Sequence, residues 1–168
     1  MKKDLELWQF IANRLKNDEK VLLLVVVDSS GSSPGRQGFK MGVDTEGSLC
    51  GSIGGGIMEI KLVELAKHCL QNNDAPPFLK KQIHNKNVAH DQSGMICSGE
   101  QTILFYPLQK THLDTIQNII IRLKNNTSAV LKMTPQYFEL IDNQRLTNNF
   151  TFIFADADVL FLSRTIIF

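Results

Sequence analysis

The stretch Val21-Leu-Leu-Leu-Val-Val-Val27 decides the fold, because it is short, unbroken and rich in β-branched residues. A run of this kind lacks the alternation of a strand with one wet face, so it predicts a central strand covered on both faces. It is far shorter than the ~20 residues that a membrane-spanning helix needs. The segment from Asp28 to Gly38 is rich in Ser and Gly, and it predicts a loop that leaves the end of this strand.

Periodic apolar residues on both sides of this strand predict the other elements. Three amphipathic patterns predict helices near residues 5–17, 57–70 and 113–123, and a hairpin with its turn at Gly47 is expected between residues 39 and 50. Further strands are predicted at 78–83, 101–105, 129–133, 137–141, 150–154 and 159–161, with Pro107 ending the second of them. The sequence therefore predicts an α/β or α+β fold, with a mixed β-sheet flanked by helices, in a single compact domain over residues 1–168.

The composition excludes several classes of function. Lys plus Arg number 18 against 17 for Asp plus Glu, and a net charge of +1 gives no field that would attract a nucleic acid. Without a leader or a membrane-spanning pattern, we expect a cytoplasmic protein that makes no membrane contact. The cysteines, Cys50, Cys69 and Cys97, show no CxxC spacing, so free thiols are predicted rather than disulfides or a zinc site of cysteine pairs.

The glycine segment, Gly51-Ser-Ile-Gly-Gly-Gly-Ile-Met-Glu59, is the main candidate for chemistry. Its glycines stand just before a predicted helix and leave backbone N–H groups uncovered, which is an arrangement that binds phosphate or another anion. The alternative is that these glycines only permit a tight turn from strand to helix. The order of residues matches neither a Walker loop nor GxGxxG, so mononucleotide binding is not favoured.

Three charged residues lie in or near this segment. Glu59 falls in the first helical turn, where a carboxylate caps the helix or accepts hydrogen bonds from a bound ring. Arg36 and Lys40 would meet an anion on the glycine segment if strand pairing brings the loops together. Otherwise each is a surface cation.

A second candidate is Cys97, in Gly94-Met-Ile-Cys-Ser-Gly-Glu100. A thiol between glycines near a strand start is exposed enough to react or to bind a metal, although most lone cysteines are small buried residues. His90 and Asp91 are able to orient a neighbouring thiol or base. No nucleophile motif accompanies them, so a hydrolase triad is not expected.

Taken together, three segments resemble the amino-terminal domain of the XdhC/CoxI family, the xanthine dehydrogenase accessory proteins. They are Gly31-Ser-Ser-Pro-Gly-Arg-Gln-Gly-Phe-Lys-Met41, the glycine segment, and Met95-Ile-Cys-Ser-Gly-Glu-Gln101. They occur in the family's order behind a valine-rich strand, and the resemblance covers about residues 5–110. It implies a non-catalytic chaperone that binds the molybdenum cofactor, molybdopterin with its terminal phosphate and dithiolene-held metal, and passes it to a molybdenum hydroxylase.

The resemblance also implies which residues bind this cargo and which proteins are partners. The loop of residues 32–38 and the glycine segment would form the pocket, with a thiol at the rim as a contact for the metal or its sulfur. The expected cofactor-binding residues are Ser32, Ser33, Arg36, Gly38, Gly51, Ser52, Gly54, Gly55, Gly56, Glu59 and Cys97. The expected partners are a molybdenum hydroxylase subunit and, beside it, a cysteine desulfurase or a separate Rossmann-domain subunit.

The chain departs from the family pattern at three places. Cys97-Ser98-Gly99 stands where members commonly have Cys-Gly-Gly, and Pro34-Gly35-Arg36 stands where they have Pro-Arg. Longer members continue into a Rossmann-like domain with its own glycine fingerprint, and because no glycine follows Gly99 we expect that domain to be absent. Two alternatives to the chaperone stay open: a thiol-dependent sulfur-transfer protein that uses Cys97, and an assembly module that binds no cofactor.

Self-association is also expected. The stretches 150–154, 159–162 and 165–168 carry more apolar side chains than the end of a short monomer usually needs, and a homodimer would bury them. The alternative is that these strands complete the chain's own sheet.

Overall fold

The structure, a computed structural model, describes residues 2–72, 76–84, 99–141, 150–155 and 158–165. The helices are α1 (Lys2–Lys16), α2 (Gly56–Gln71) and α3 (Leu113–Lys124), and a 3-10 turn at Lys110–His112 precedes α3. The strands are β1 (Val21–Gly31), β2 (Lys40–Asp44), β3 (Leu49–Gly51), β4 (Phe78–His84), β5 (Gly99–Leu108), β6 (Ala129–Met133), β7 (Phe138–Ile141), β8 (Phe150–Ala155) and β9 (Asp158–Thr165). Sheet A has the order β3-β2-β1-β5-β4, and sheet B has the order β7-β6-β9-β8.

Strand β1 lies at the centre of sheet A and is buried on both faces. Its odd-numbered residues from Val21 to Val27 pack in one cluster with α1, α3 and part of sheet B. Its even-numbered residues from Leu22 to Val26 pack in a second cluster with α2. None of these seven side chains exceeds 1% exposure, so the two-sided central strand predicted from the sequence is confirmed.

The predicted fold class is also confirmed, in its α+β form. The strand pairings are all antiparallel in the described part of the chain, whereas we expected a mixed sheet. The reason lies in the connections. Strands β1, β2 and β3 follow one another through short loops, and short loops join antiparallel neighbours. Helix α2 lies between β3 and β4, which are the two edge strands of sheet A, so it does not form a parallel crossover between neighbours.

Two strands of sheet A are longer than predicted. Residues 28–31, which we expected in a loop, continue β1 and pair with β5 from Thr102 to Gly99. This pairing joins segments about seventy residues apart, and local turn chemistry carries no information on it. Strand β5 also runs through Pro107 to Leu108. A proline is tolerated there because β4 pairs with β5 only as far as Phe105, so the side of β5 facing β4 is open at Pro107.

Sheet B is joined to sheet A through aromatic side chains. The Tyr106 hydroxyl donates to the carbonyl of Thr134 at 2.9 Å, and burial raises the pKa of Tyr106 to about 12. The His112 ring lies 6.1 Å from the ring of Tyr106 and 5.2 Å from that of Phe138, measured between centroids. These contacts extend the α1 side of the core from β5 to β7.

The terminal strands β8 and β9 belong to sheet B, where β9 pairs with both β6 and β8. Their backbones therefore complete a sheet of the same chain, which was the alternative to self-association. The homodimer stays a prediction.

Protonation of His112 is predicted to destabilise the fold. Burial lowers the pKa of His112, and its Nδ1 accepts a hydrogen bond of 3.0 Å from the backbone N–H of Gln109, which a protonated Nδ1 would lose. The stability that the neutral ring contributes is full above an unfolded pKa of about 6.5 and falls as the pH drops through the lower folded pKa. We expect the free energy of unfolding in urea to decrease from pH 7.5 to pH 5.5.

The substitution His112→Asn should remove much of this decrease, because asparagine offers an acceptor that does not titrate. His68→Asn, at an exposed histidine on α2, is the matched control and should keep the decrease. An unchanged pH dependence in His112→Asn would contradict the prediction.

Candidate functional site

The loop of residues 32–38 folds back on the end of β1. The backbone N–H of Gly38 donates to the carbonyl of Val26 at 2.8 Å, and the side-chain amide of Gln37 donates to the carbonyl of Val27 at 2.7 Å. The register of β1 on β5 shifts at this point, between Val26 and Asp28. The Gln37 side chain therefore satisfies a carbonyl at the irregularity and fixes the direction in which the loop leaves the strand.

Gln101 joins this loop to the glycine segment. Its Oε1 accepts from the Ser33 hydroxyl at 2.9 Å and from the backbone N–H of Gly35 at 3.1 Å. Its Nε2 donates to the side-chain oxygen of Gln82 at 3.0 Å and, more weakly, to the carbonyl of Ile53 at 3.4 Å. Gln101 is only 1% exposed, so these bonds lie out of competition with water and hold the two loops and β4 around one amide.

Close backbone packing reinforces the contact between the two loops. Gly54 has φ of +132°, and a Cβ there would lie 2.8 Å from the backbone nitrogen of Gly35. A Cβ on Gly35 would in turn collide with the carbonyl of Ile53. Gly99, at the start of β5, is packed as closely, since a Cβ at this position would lie 2.6 Å from the backbone nitrogen of Ser33. The three segments that carry the sequence motifs therefore meet at one end of sheet A.

The backbone amides of the glycine segment are hydrogen-bonded within the chain itself, whereas the sequence predicts open amides. Oε2 of Glu59 accepts from the Ser52 hydroxyl at 2.8 Å, from the backbone N–H of Ile53 at 3.0 Å and from that of Gly55 at 2.9 Å. The N–H of Gly54 donates to the Ser52 hydroxyl at 3.2 Å. The expectation of free amides is thus wrong for Gly54 and Gly55, because a carboxylate one turn into α2 reaches back to the loop that precedes the helix.

The outer side of the same segment remains accessible. A Cβ on Gly55 would meet no heavy atom within 4 Å, in the part of the chain that the structure describes. No side chain caps the start of α2, and Gly56 and Ile57 in its first turn are exposed. Arg36 is exposed beside Gly35, and Ser32 is exposed at the start of the loop. These groups, rather than the inner amides, face solvent.

Other predicted site residues have structural roles. Ser33 is buried, with its hydroxyl directed at Gln101 and at the carbonyl of Gly35. Gly38 and Gly51 both have φ of +90° and form turns at the ends of β2 and β3. Lys40 donates to the carbonyl of Gly38 at 2.9 Å; burial lowers the pKa of Lys40, an effect that the charge of Asp4 on α1 partly opposes. Lys40 therefore interacts with α1 and its own loop, and no contact joins it to Glu59 among the described residues.

The cysteines agree with the sequence prediction where they are described. Cys50 and Cys69 are free thiols, and each packs against one of the two core clusters. Burial raises the pKa of both, which opposes reactivity at neutral pH. Cys97, His90 and Asp91 lie outside the described residues, and the prediction for Cys97 stays a prediction.

Sequence reasoning missed Gln101 and Gln82 as the centre of the site. The signal was present, because Gln101 alternates with Ile103 and Phe105 and so falls on the face of β5 that packs against α2. A glutamine on an otherwise apolar face needs buried partners. The sequence does not identify those partners. One of them, Gln82, lies opposite Gln101 only because β4 pairs with β5 in this register.

Removing the carboxylate of Glu59 is predicted to loosen the glycine segment. Glu59→Ala leaves two backbone N–H groups and one hydroxyl without their acceptor, and the free energy of unfolding in urea should fall by about 1–3 kcal/mol. Glu59→Gln keeps one acceptor oxygen and should cost less. The matched control is Glu64→Ala on the same helix, where an exposed ion pair with Lys67 should contribute under about 1 kcal/mol. Equal losses in Glu59→Ala and Glu64→Ala would contradict this role.

The described residues contain neither a metal-binding cluster nor a membrane-spanning helix. No group of three or more His, Cys, Asp or Glu side chains is arranged to hold a metal ion in the part of the chain that the structure covers. No helix there is long and apolar enough to cross a membrane.

The chain is similar to known proteins in sequence over one part and in fold over a larger part. Residues 14–79 match the sequence model of the XdhC and CoxI family. A comparison with curated proteins gave no match. The fold is similar to a crystal structure of a xanthine dehydrogenase from Bacillus halodurans, with a TM-score of 0.62 and 20% sequence identity.

That similarity covers 77% of this chain and 38% of the other, so this chain spans well under half the length of its structural neighbour. At this level of identity the likeness shows the fold alone. The sequence match is the more specific result, because it includes β1, the loop of residues 32–38 and the glycine segment. Over residues 14–79, the chain is therefore similar in sequence to the XdhC and CoxI family.

Proposed function

We propose that this protein is an accessory factor of a xanthine dehydrogenase-type molybdenum hydroxylase, and that it binds the molybdenum cofactor as cargo and assists its insertion. The observation that carries this proposal is the hydrogen bonding of Glu59. Three donors of the glycine segment converge on one carboxylate oxygen, so the loop has the geometry of an anion site, with an internal anion in it.

A terminal phosphate carries the same kind of acceptor oxygen as a carboxylate, with more negative charge. In the proposed complex the phosphate of the cargo takes the position of the Glu59 carboxylate, and Glu59 moves toward solvent. The rigid packing of Gly54 on Gly35 keeps the donors in place during this exchange. Arg36, exposed next to Gly35, supplies the opposite charge that the phosphate needs when it leaves water.

The protein's own residues bind, orient and release the cargo in this proposal, and the metal chemistry belongs to the cofactor. Gln101 keeps the two loops at a fixed distance, so that the backbone donors and Arg36 act on one ligand. The family match spans both loops, and the fold is similar to that of a protein described as a xanthine dehydrogenase. Both findings support a role beside such an enzyme.

One observation favours a second candidate, the assembly module that binds no cofactor. The donors of the glycine segment are satisfied within the chain, while Ile57 and Ile60 on the first two turns of α2 are 59% and 65% exposed. Two large apolar side chains on one helix face, beside a rigid loop, resemble the anchors of a protein interface. In this candidate the hydroxylase subunit itself docks on α2.

The other proposed partners are a cysteine desulfurase, a separate Rossmann-domain subunit and a second copy of the chain. Sulfur transfer by Cys97 stays an alternative function.

Cargo binding predicts a change in retained cofactor when the charges around the loop are altered. We expect the full chain, produced in cells that make the cofactor and purified without oxygen, to retain pterin fluorescence and molybdenum. Arg36→Ala should weaken retention by ~10-fold, because a charge-assisted hydrogen bond to phosphate is lost. Glu59→Gln should increase retention, since a neutral amide competes less well than a carboxylate for the loop donors.

Lys124→Ala, at an exposed lysine on α3, is the matched control and should retain as much as the parent. The cargo proposal is wrong if neither the parent nor Glu59→Gln holds pterin or molybdenum above the level of an unrelated protein.

Docking on α2 predicts a loss of hydroxylase binding from surface substitutions alone. Ile57→Asp combined with Ile60→Asp should reduce the affinity for a purified hydroxylase subunit by at least ~10-fold, as measured by sedimentation, because anchors at the centre of an interface dominate its affinity. Ile121→Asp, at an isoleucine that is 52% exposed on α3, is the matched control and should bind like the parent. If the double variant binds as well as this control, α2 is not the docking surface.

A further inference from the structure

A pocket of about 210 Å³ lies at the end of sheet A opposite to the glycine segment. The end of α1, the first residues of β1, the last turn of α2 and the end of β5 surround it. Its floor consists of leucine side chains that are otherwise buried: Leu15, Leu22, Leu70 and Leu108. An apolar cavity of ~150 Å³ holds a benzene ring, so this pocket has room for a side chain of about that size.

Opposite charges face each other across the mouth of this pocket. Asp18 follows α1, Lys110 begins the 3-10 turn, and their side chains form an ion pair of 2.7 Å between segments far apart in sequence. Both side chains are largely exposed, at 71% and 61%, so water and salt screen the pair and a ligand is able to open it at little cost.

The backbone holds the acidic side of the mouth in place. Asp18 has φ of +61°, a conformation that few residues other than glycine adopt, and its N–H donates to the carbonyl of Leu15 at 3.2 Å. The next N–H, that of Glu19, donates to the carbonyl of Arg14 at 3.0 Å, and the Glu19 side chain pairs with Arg14 at 3.4 Å. The mouth is therefore built by the end of α1 and does not depend on a ligand for its shape.

We propose that this pocket binds a small zwitterion with an apolar side chain, that is, a free amino acid of the phenylalanine or leucine type. Its side chain lies on the leucine floor, its ammonium group pairs with Asp18, and its carboxylate pairs with Lys110. A ligand with both charges leaves neither partner uncompensated when the ion pair opens. A ligand with one charge strands the other partner, so it binds more weakly.

Three probes with the same ring test this assignment on the full chain by amide chemical shifts: phenylalanine, phenylacetate and phenethylamine. We expect phenylalanine to shift the amides of Asp18, Glu19 and Lys110 at millimolar concentration, and each single-charge probe to bind ~10-fold more weakly, as expected for the loss of one charge-assisted contact. Equal binding of all three probes, or no shifts with phenylalanine, would overturn the proposal.

Charge-removal variants separate the two contacts. Lys110→Ala should weaken the binding of phenylalanine by ~10-fold and strengthen that of phenethylamine, because no lysine is left without its partner. Asp18→Ala should likewise weaken the binding of phenylalanine and strengthen that of phenylacetate. Lys81→Ala, which breaks a similarly exposed pair of 2.9 Å with Glu100 on β5, is the matched control and should bind phenylalanine like the parent. The assignment would also be overturned if Lys81→Ala weakened the binding of phenylalanine as much as Lys110→Ala does.

Discussion

The burial of β1 on both faces is the constraint on which the rest of the structure depends. Because successive side chains of a strand point to opposite sides, the unbroken run from Val21 to Val27 needs a helix on each face of sheet A. Helix α1 covers one face and α2 the other. Because the helices cover both faces of the sheet, the loops with the sequence motifs lie at its end. They meet at the carboxyl end of β1 and the segments paired to it.

Two polar side chains then turn these loops into a defined site. Gln101, on β5, joins the loop of residues 32–38 to the glycine segment through buried hydrogen bonds. Glu59, on the helix that follows the glycine segment, accepts hydrogen bonds from that segment. Both satisfy backbone groups that the tight glycine geometry leaves without regular partners. This internal satisfaction explains why the loop is well formed without a ligand, and it means that an anionic ligand competes with Glu59 instead of filling an empty cradle.

The parts predicted from sequence were those in which one residue pattern has one physical outcome. The apolar run of β1 and the 3.6-residue periodicities of α1, α2 and α3 fall in this group. The prediction that Cys50 and Cys69 are free thiols also falls in it. The extension of β1 to Gly31 was missed because Ser and Gly favour turns locally, whereas pairing with β5 decides the outcome. The position of Glu59 in the first helical turn predicts a helix cap, but its hydrogen bond to Gly55 depends on a three-dimensional placement that sequence spacing alone does not give.

The central claim is that the donors of the glycine segment hold an exchangeable anion. Its most direct test is a titration of the isotope-labelled chain with a molybdopterin-type pterin phosphate, followed through the backbone amide resonances of Ile53 and Gly55. We expect both resonances to shift with the phosphate, and both to shift at lower phosphate concentration in Glu59→Gln. Resonances of Ile53 and Gly55 that stay unchanged at saturating pterin phosphate, in the parent and in Glu59→Gln, would contradict the central claim.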